Sequence, residues 1–214
     1  MFELSRDEKA LYVSNEEGSS VQEISIADKI ILREIATGAE PEGIAVSADG
    51  RTLYVTSEVT DMVHVIDAGV GAVTDNIVVG TRPRRLLLLP DGKELWVSNE
   101  LSGQVSVTLD FLPPGFRQVD VTPVGMTMTS DGKSAIVALG RANHLAFVDT
   151  ATKKVEDYVL VGSLAWGVAL SPDEKTLYVA NGLSDDLSIV NMANRKAIRA
   201  IPVGRVPHTV LVDD

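Results

Sequence analysis

The chain has 214 residues, 45% hydrophobic and 23% charged, the balance of an ordinary globular protein rather than a disordered one. Its formal net charge is −11, so it lacks the basic footprint on which binding to nucleic acid or an anionic membrane depends. The absence of cysteine excludes disulfides and thiolate chemistry, and no apolar run approaches the roughly 18 residues of a membrane-spanning helix.

Read from the N-terminus, "MFELSRDEKALYV" has no basic region followed by an apolar stretch, so no signal peptide is expected within this chain. Phe2-Glu3-Leu4-Ser5 instead reads as a short strand running into a turn at Asp7. The next stretch, "PEGIAVSADGRTLYVTSE", reads as strand, tight turn and strand, and it predicts strands over 43–46, 52–57, 62–67 and 73–79. Similar stretches begin at 82, 122 and 164.

The turn aspartates Asp7, Asp49, Asp91, Asp131 and Asp173 are spaced by 42, 42, 40 and 42 residues. Tyr12, Tyr54, Trp96 and Tyr178 recur at the same interval and read as packing residues between sheets. The repeats run approximately 5–46, 47–88, 89–128, 129–170 and 171–212, and the chain ends in one more inner-strand motif at 209–212. Each Asp-Gly step reads as a type I turn whose third loop residue is left-handed, with Pro90 and Pro172 pre-set for it. Glu8 and Glu174 stand where the other copies have glycine, at a cost of about 1 kcal/mol each if the geometry is kept. The segment "DFLPPGFRQVDV" at 110–121 departs from its repeat and reads as a specialised outer loop. Four antiparallel strands recurring every 40–45 residues or so predict an all-β protein, a β-propeller of four-stranded blades with five repeats, in one domain over 1–214.

"LYVSN", "LYVTS", "LWVSN" and "LYVAN", followed by V-x-V-I-D and I-x-V-G-x-x-P patterns, resemble the YVTN-repeat β-propeller family. The stretch beginning "PVGMTMTSDGKSAIVALGRANHLAFVDT", with "RVPHTVLV" near the end, is similar to a narrower group associated with PQQ-dependent (pyrroloquinoline quinone) alcohol catabolism. The resemblance implies an exported, periplasmic, seven-bladed protein, of which this chain would be an N-terminally shortened member. Without it, a cytoplasmic location is the expectation. Ring closure by five blades is not implied, and open blade faces are a route to self-association.

In an up-and-down blade, the loop entering the innermost strand and the loop joining the second and third strands emerge on one face. The first set varies most between copies and supplies Glu42, Arg84, Val124, Trp166 and His208. The second supplies Glu16, Glu58, Glu100 and Arg141. These nine residues are the candidate ligand-binding set, with Arg84 and Arg141 as anion contacts and Trp166 as a stacking platform. Solvated loop residues at the mouth of a water-filled channel would give the same pattern.

Glu16, Glu58 and Glu100 hold equivalent places, but without a compact D-x-D-x-D loop they read as solvated carboxylates, and no metal site is assigned. Of His64, His144 and His208, no two have short metal-ligand spacing, and His64 reads as strand packing. Arg82-Pro83-Arg84-Arg85, the densest basic spot in an acidic chain, reads either as a contact for a carboxylate or an acidic partner patch or, by preference, as pairing locally with Glu58 and Glu100.

A non-enzymatic scaffold for a small molecule or protein partner at the funnel face, with no cofactor, is the first functional expectation. A lactonase-like hydrolase using His208, Glu42 and Arg84 is the second, since relatives of this architecture open lactones. Single-stranded DNA binding, known in related propellers, is disfavoured by the net charge.

Overall fold

The computed structural model describes residues 1–109, 115–118 and 122–213, and it divides into two compact units, Met1–Phe116 and Arg117–Asp214. The first unit contains three four-stranded antiparallel sheets. These are β1 Phe2–Leu4, β2 Ala10–Asn15, β3 Ser20–Ser25 and β4 Ile31–Ala36; β5 Pro41–Val46, β6 Thr52–Ser57, β7 Met62–Asp67 and β8 Ala72–Val78; and β9 Pro83–Leu88, β10 Glu94–Asn99, β11 Gln104–Leu109 and β12 Gly115–Gln118. The second unit contains two. They are β13 Pro123–Met128, β14 Ser134–Leu139, β15 His144–Asp149 and β16 Lys154–Leu160, then β17 Ala165–Leu170, β18 Thr176–Asn181, β19 Asp186–Asn191 and β20 Lys196–Pro202.

Within each sheet the strands follow chain order, so every connection is a hairpin. The four strands expected over 43–79 are β5–β8, with β5 beginning two residues earlier than the sequence suggests. Apart from β12, the departing segment 110–121 lies outside the described residues. No helix among the described residues is long and apolar enough to cross a membrane.

The turn between the first two strands of a sheet keeps one geometry. Gly50, Gly92 and Gly132 have φ of 72°, 71° and 69°, and Glu8 and Glu174 occupy the same left-handed region at 57° and 54°. In four of the five turns a hydroxyl two residues before the aspartate completes the turn, a signal the sequence carries as S/T-x-D; the turn at Asp91 has Leu89 there. Ser47 Oγ donates to Asp49 Oδ1 at 2.7 Å, the same carboxyl accepts the Arg51 amide at 3.0 Å, and the Thr52 amide donates back to Ser47 Oγ at 2.9 Å. Ser5–Asp7, Thr129–Asp131 and Ser171–Asp173 repeat the hydroxyl-to-carboxylate bond at 2.7–2.8 Å.

The period-two alternation of each strand gives a sheet two apolar faces. Leu53, Val55 and Ile66 face Tyr12, Val21 and Ile35 of the first sheet, whereas Tyr54, Val63 and Val65 face Leu95 and Val97 of the third. In the second unit Ile136, Leu145 and Phe147 pack on Leu177, Val179 and Val190. Tyr12, Tyr54 and Trp96 are buried and Tyr178 half-buried, the packing role their spacing predicts.

Inner strands approach until side chains are excluded between them. A Cβ on Gly43 would collide with the Arg84 carbonyl, and one on Gly125 with the Trp166 carbonyl. Residues 209–212, expected as an inner strand, form no paired strand, because none of the described residues supplies a ladder partner. The backbone there still runs beside β17, where a Cβ on Gly167 would sit 2.5 Å from the His208 carbonyl.

Replacing Glu8 by glycine removes a side chain from a left-handed position where it has no required partner. Glu8→Gly is expected to raise the unfolding free energy by about 0.5–1 kcal/mol in urea titrations.

Candidate functional site

In the first unit the inner-strand entries and the turns after β6 and β10 converge at one end of the sheets, and the local backbone fixes their places. The Glu58 amide donates to the Glu40 carbonyl at 3.1 Å, and the Glu100 amide to the Arg82 carbonyl at 2.9 Å. Arg82 itself is left-handed, with φ of 57°, and its amide donates to Asp61 Oδ1 at 2.9 Å. His64 anchors the preceding loop. Its Nε2 accepts the Gly38 amide at 2.9 Å, so Nδ1 carries the proton and donates to Asn76 Oδ1 at 2.5 Å. His64 is thus the buried packing histidine its strand position predicts.

Three carboxylates and three guanidiniums meet on this frame. Arg84 donates through Nη1 to Glu42 Oε2 at 2.6 Å and to Glu58, and through Nε to Glu100 Oε2 at 2.7 Å. Arg85 Nη1 donates to the other Glu42 oxygen. Arg82 Nε donates to Glu58 Oε2 at 2.8 Å and lies 3.4 Å from Glu100. The side chains of Glu42, Glu58, Arg84, Arg85 and Glu100 are all 12% exposed or less, while that of Arg82 is 40% exposed.

Burial pushes the Glu42 carboxyl up, but its hydrogen bond with Glu58 and the Arg85 and Arg84 charges outweigh burial and hold it at about 2. Burial and the same hydrogen bond push Glu58 up to about 7, against the pull of Arg82 and Arg84. The two carboxyls titrate as a pair, and its upper step falls at about 7.

The expected pairing of the basic run with Glu58 and Glu100 is formed, and it draws in Glu42 as well. Glu58 and Glu100 are not the solvated carboxylates of the sequence reading. The places a cation would take beside them are filled by Arg82 and Arg84. Glu16, in the equivalent turn of the first sheet, stays exposed and makes no side-chain ion pair among the described residues. The sequence reading places Arg85 in the basic run but does not pair it with Glu42, its partner in the structure. The signal was its place in "PRR", where "PEG" has glycine.

The second unit presents different chemistry at the equivalent positions. Val124 is buried on β13. Trp166, half-buried on β17, stacks against the exposed His208 ring with centroids 4.9 Å apart and planes tilted by 42°. Arg141 lies exposed in a 3-10 turn, Gly140–Ala142, whose Arg141 amide donates to Thr122 Oγ1 at 2.8 Å. Gly140 and Gly182 stand where Glu58 and Glu100 stand in the first unit, and a Cβ on either would touch the Leu164 side chain at 3.5 or 3.4 Å. The hydrolytic pair expected of Glu42 and His208 has its members otherwise engaged. Both Glu42 oxygens receive guanidiniums, and His208 lies on Trp166.

Removing the Arg84 side chain leaves three carboxylates with at most 12% exposure around an empty place. Arg84→Met is expected to cost about 3–5 kcal/mol in chemical unfolding, the range for breaking a buried ionic cluster from one side. Glu58 is raised in the folded state, so its contribution is full below the unfolded value of about 4.5 and is lost as pH rises through about 7. Glu58→Gln should therefore flatten the fall in stability between pH 5 and 8, measured as urea midpoints across that range.

No family model matches the chain, and no curated protein matches it. Solved structures do. Virginiamycin B lyase from Staphylococcus aureus superposes with a TM-score of 0.84 at 12% identity, covering 99% of this chain and 73% of that one. The periplasmic gluconolactonase of Pseudomonas aeruginosa gives 0.78 at 22% identity, covering 97% and 70%. Hydrazine synthase from Kuenenia stuttgartiensis gives 0.73 at 18% identity, covering 97% and 87%. At these identities the likeness is one of fold: the chain is an all-β protein of the β-propeller class, built here from five four-stranded antiparallel blades.

Proposed function

We propose that the chain is a non-enzymatic propeller that binds a small molecule or a protein partner, accessory to a periplasmic pathway of PQQ-dependent alcohol oxidation. One observation carries the binding reading. Arg84 is held by Glu42, Glu58 and Glu100 together, so the groups a hydrolase would direct at a substrate are directed at one another. A largely buried cluster of mutually paired acids and bases fixes loop geometry for recognition. The pathway and the periplasmic location rest on the resemblance of the YVTN-like repeats and of "PVGMTMTSDGKSAIVALGRANHLAFVDT" to that family group.

A second reading, a lactonase-like hydrolase, draws on two observations. A periplasmic gluconolactonase shares the fold. The Glu42–Glu58 pair also separates into a carboxylate at about 2 and an acid at about 7, the kind of split that marks acid–base pairs.

Hydrolysis of glucono-δ-lactone by the purified chain, and its saturable binding to a PQQ-dependent alcohol dehydrogenase in biolayer interferometry, test the two readings together. Binding without turnover above the uncatalysed rate is the expected result. Turnover that disappears in a folded His208→Ala variant would replace the first reading with the second.

A further inference from the structure

Arg82 differs from the other members of the ionic cluster in how its guanidinium is used. Arg84 and Arg85 are buried, with their side chains directed inward at carboxylates. Arg82 directs only its Nε inward, to Glu58 and Glu100, and its side chain is 40% exposed. Among the described residues, no hydrogen bond is made by its Nη1 or Nη2. The cluster thus ends at the surface in a planar pair of N–H groups whose inner side is pinned by ion pairs and whose backbone is held by Asp61.

We propose that this outer edge of Arg82 is a docking site for a small carboxylate. The inference rests on the binding reading above and names the ligand class and the contact. Two parallel N–H donors match the two oxygens of a carboxylate, and a guanidinium already fixed at Nε loses little freedom on binding. Charge favours a monoanion over phosphate, because Glu58 and Glu100 lie against the inner side of the same guanidinium and would repel a second negative charge. The anion contact is therefore Arg82, rather than the enclosed Arg84.

Occupancy is coupled to a proton. The charged groups facing Glu58 are Arg82, Arg84, Glu42 and Glu100, with Glu40 joined to its amide through the backbone and Asp61 on its own turn. Three arginines balance three glutamates when Glu58 is ionised. Protonation of Glu58, which titrates at about 7, leaves one positive charge in excess. A carboxylate then restores neutrality, so binding strengthens as pH falls from 8 to 6, by about fivefold or more for an ordinary coupling between sites.

The test follows the Arg82 Nε–Hε resonance, assigned by its loss in Arg82→Gln, while sodium acetate is added against sodium chloride at equal ionic strength. A saturable shift with acetate alone, tighter at pH 6 than at pH 8, is expected. Backbone amides of Glu58 and Glu100 then report on the variants. Arg82→Gln should weaken acetate by about tenfold or more, and Arg51→Gln, an equal charge change on an exposed turn, should leave it unchanged. If Arg82→Gln does not fold, Arg82→Lys keeps the charge without the fork and should lose the preference for acetate over chloride. Acetate binding that survives in Arg82→Gln, or that survives in Arg82→Lys with its preference intact, would overturn this site and leave the binding reading standing. No shift of Arg82 up to 100 mM acetate overturns it also, and lactone turnover in the same sample would remove both.

Discussion

Adjacent inner strands lie so close that a backbone carbonyl occupies the place a side chain would need. The Arg84 carbonyl sits against Gly43 and the Trp166 carbonyl against Gly125. Hydroxyls bind the same seam in the first unit, where Thr56 Oγ1 accepts the Gly43 amide at 2.7 Å and donates to the Arg84 carbonyl at 3.1 Å. With the backbone fixed at that spacing, the residue beside the glycine is placed at the end of the sheets, where Glu42 and Arg84 meet. Glu42 and Arg84 are neighbours because the seam between their strands admits nothing else, and variation at this one repeat position changes what the end of the sheets presents.

The fold was legible because its determinants are local and recur. The turn aspartates, the glycine or glutamate after them and the Leu-Tyr-Val runs each mark the same place in successive copies, and the five sheets follow from their spacing. The ring of variable positions was legible for the same reason. How those residues would pair was not. Arg84 reaches Glu42, 42 positions earlier, and Glu100, 16 positions later, and no repeat period relates both partners. Val124 reads as a variable mouth residue yet is buried, since an aliphatic side chain at this position gains by turning into apolar neighbours.

Arg85 shows how one departure from a repeat reorganises its neighbours. Its place in the other inner strands belongs to glycine, at Gly43, Gly125 and Gly167, and filling it adds a third guanidinium to a region that already held Arg82 and Arg84. Two arginines against Glu42, Glu58 and Glu100 would leave an excess carboxylate with little exposure, which is costly. The third arginine balances the set. At the equivalent turns of the second unit the glutamates are replaced by Gly140 and Gly182, and the arginine by Leu164. The substitutions are matched: acid with base in one unit, glycine with leucine in the other.

This matching bears on how an acidic protein presents a site for an acid. The cluster of three arginines and three glutamates contributes nothing to the formal net charge of −11, which therefore resides on the rest of the chain. Within a Debye length, about 10 Å at 0.1 M salt, the net negative surface repels anions. Only at contact distance does the Arg82 edge stand out, and there its charge is held in register by buried partners rather than spread over mobile side chains. A fixed local cation on an acidic surface favours small anions that fit the fork over extended polyanions, which would meet the surrounding carboxylates first. The same net charge that disfavours nucleic acid thereby sharpens selection among small carboxylates.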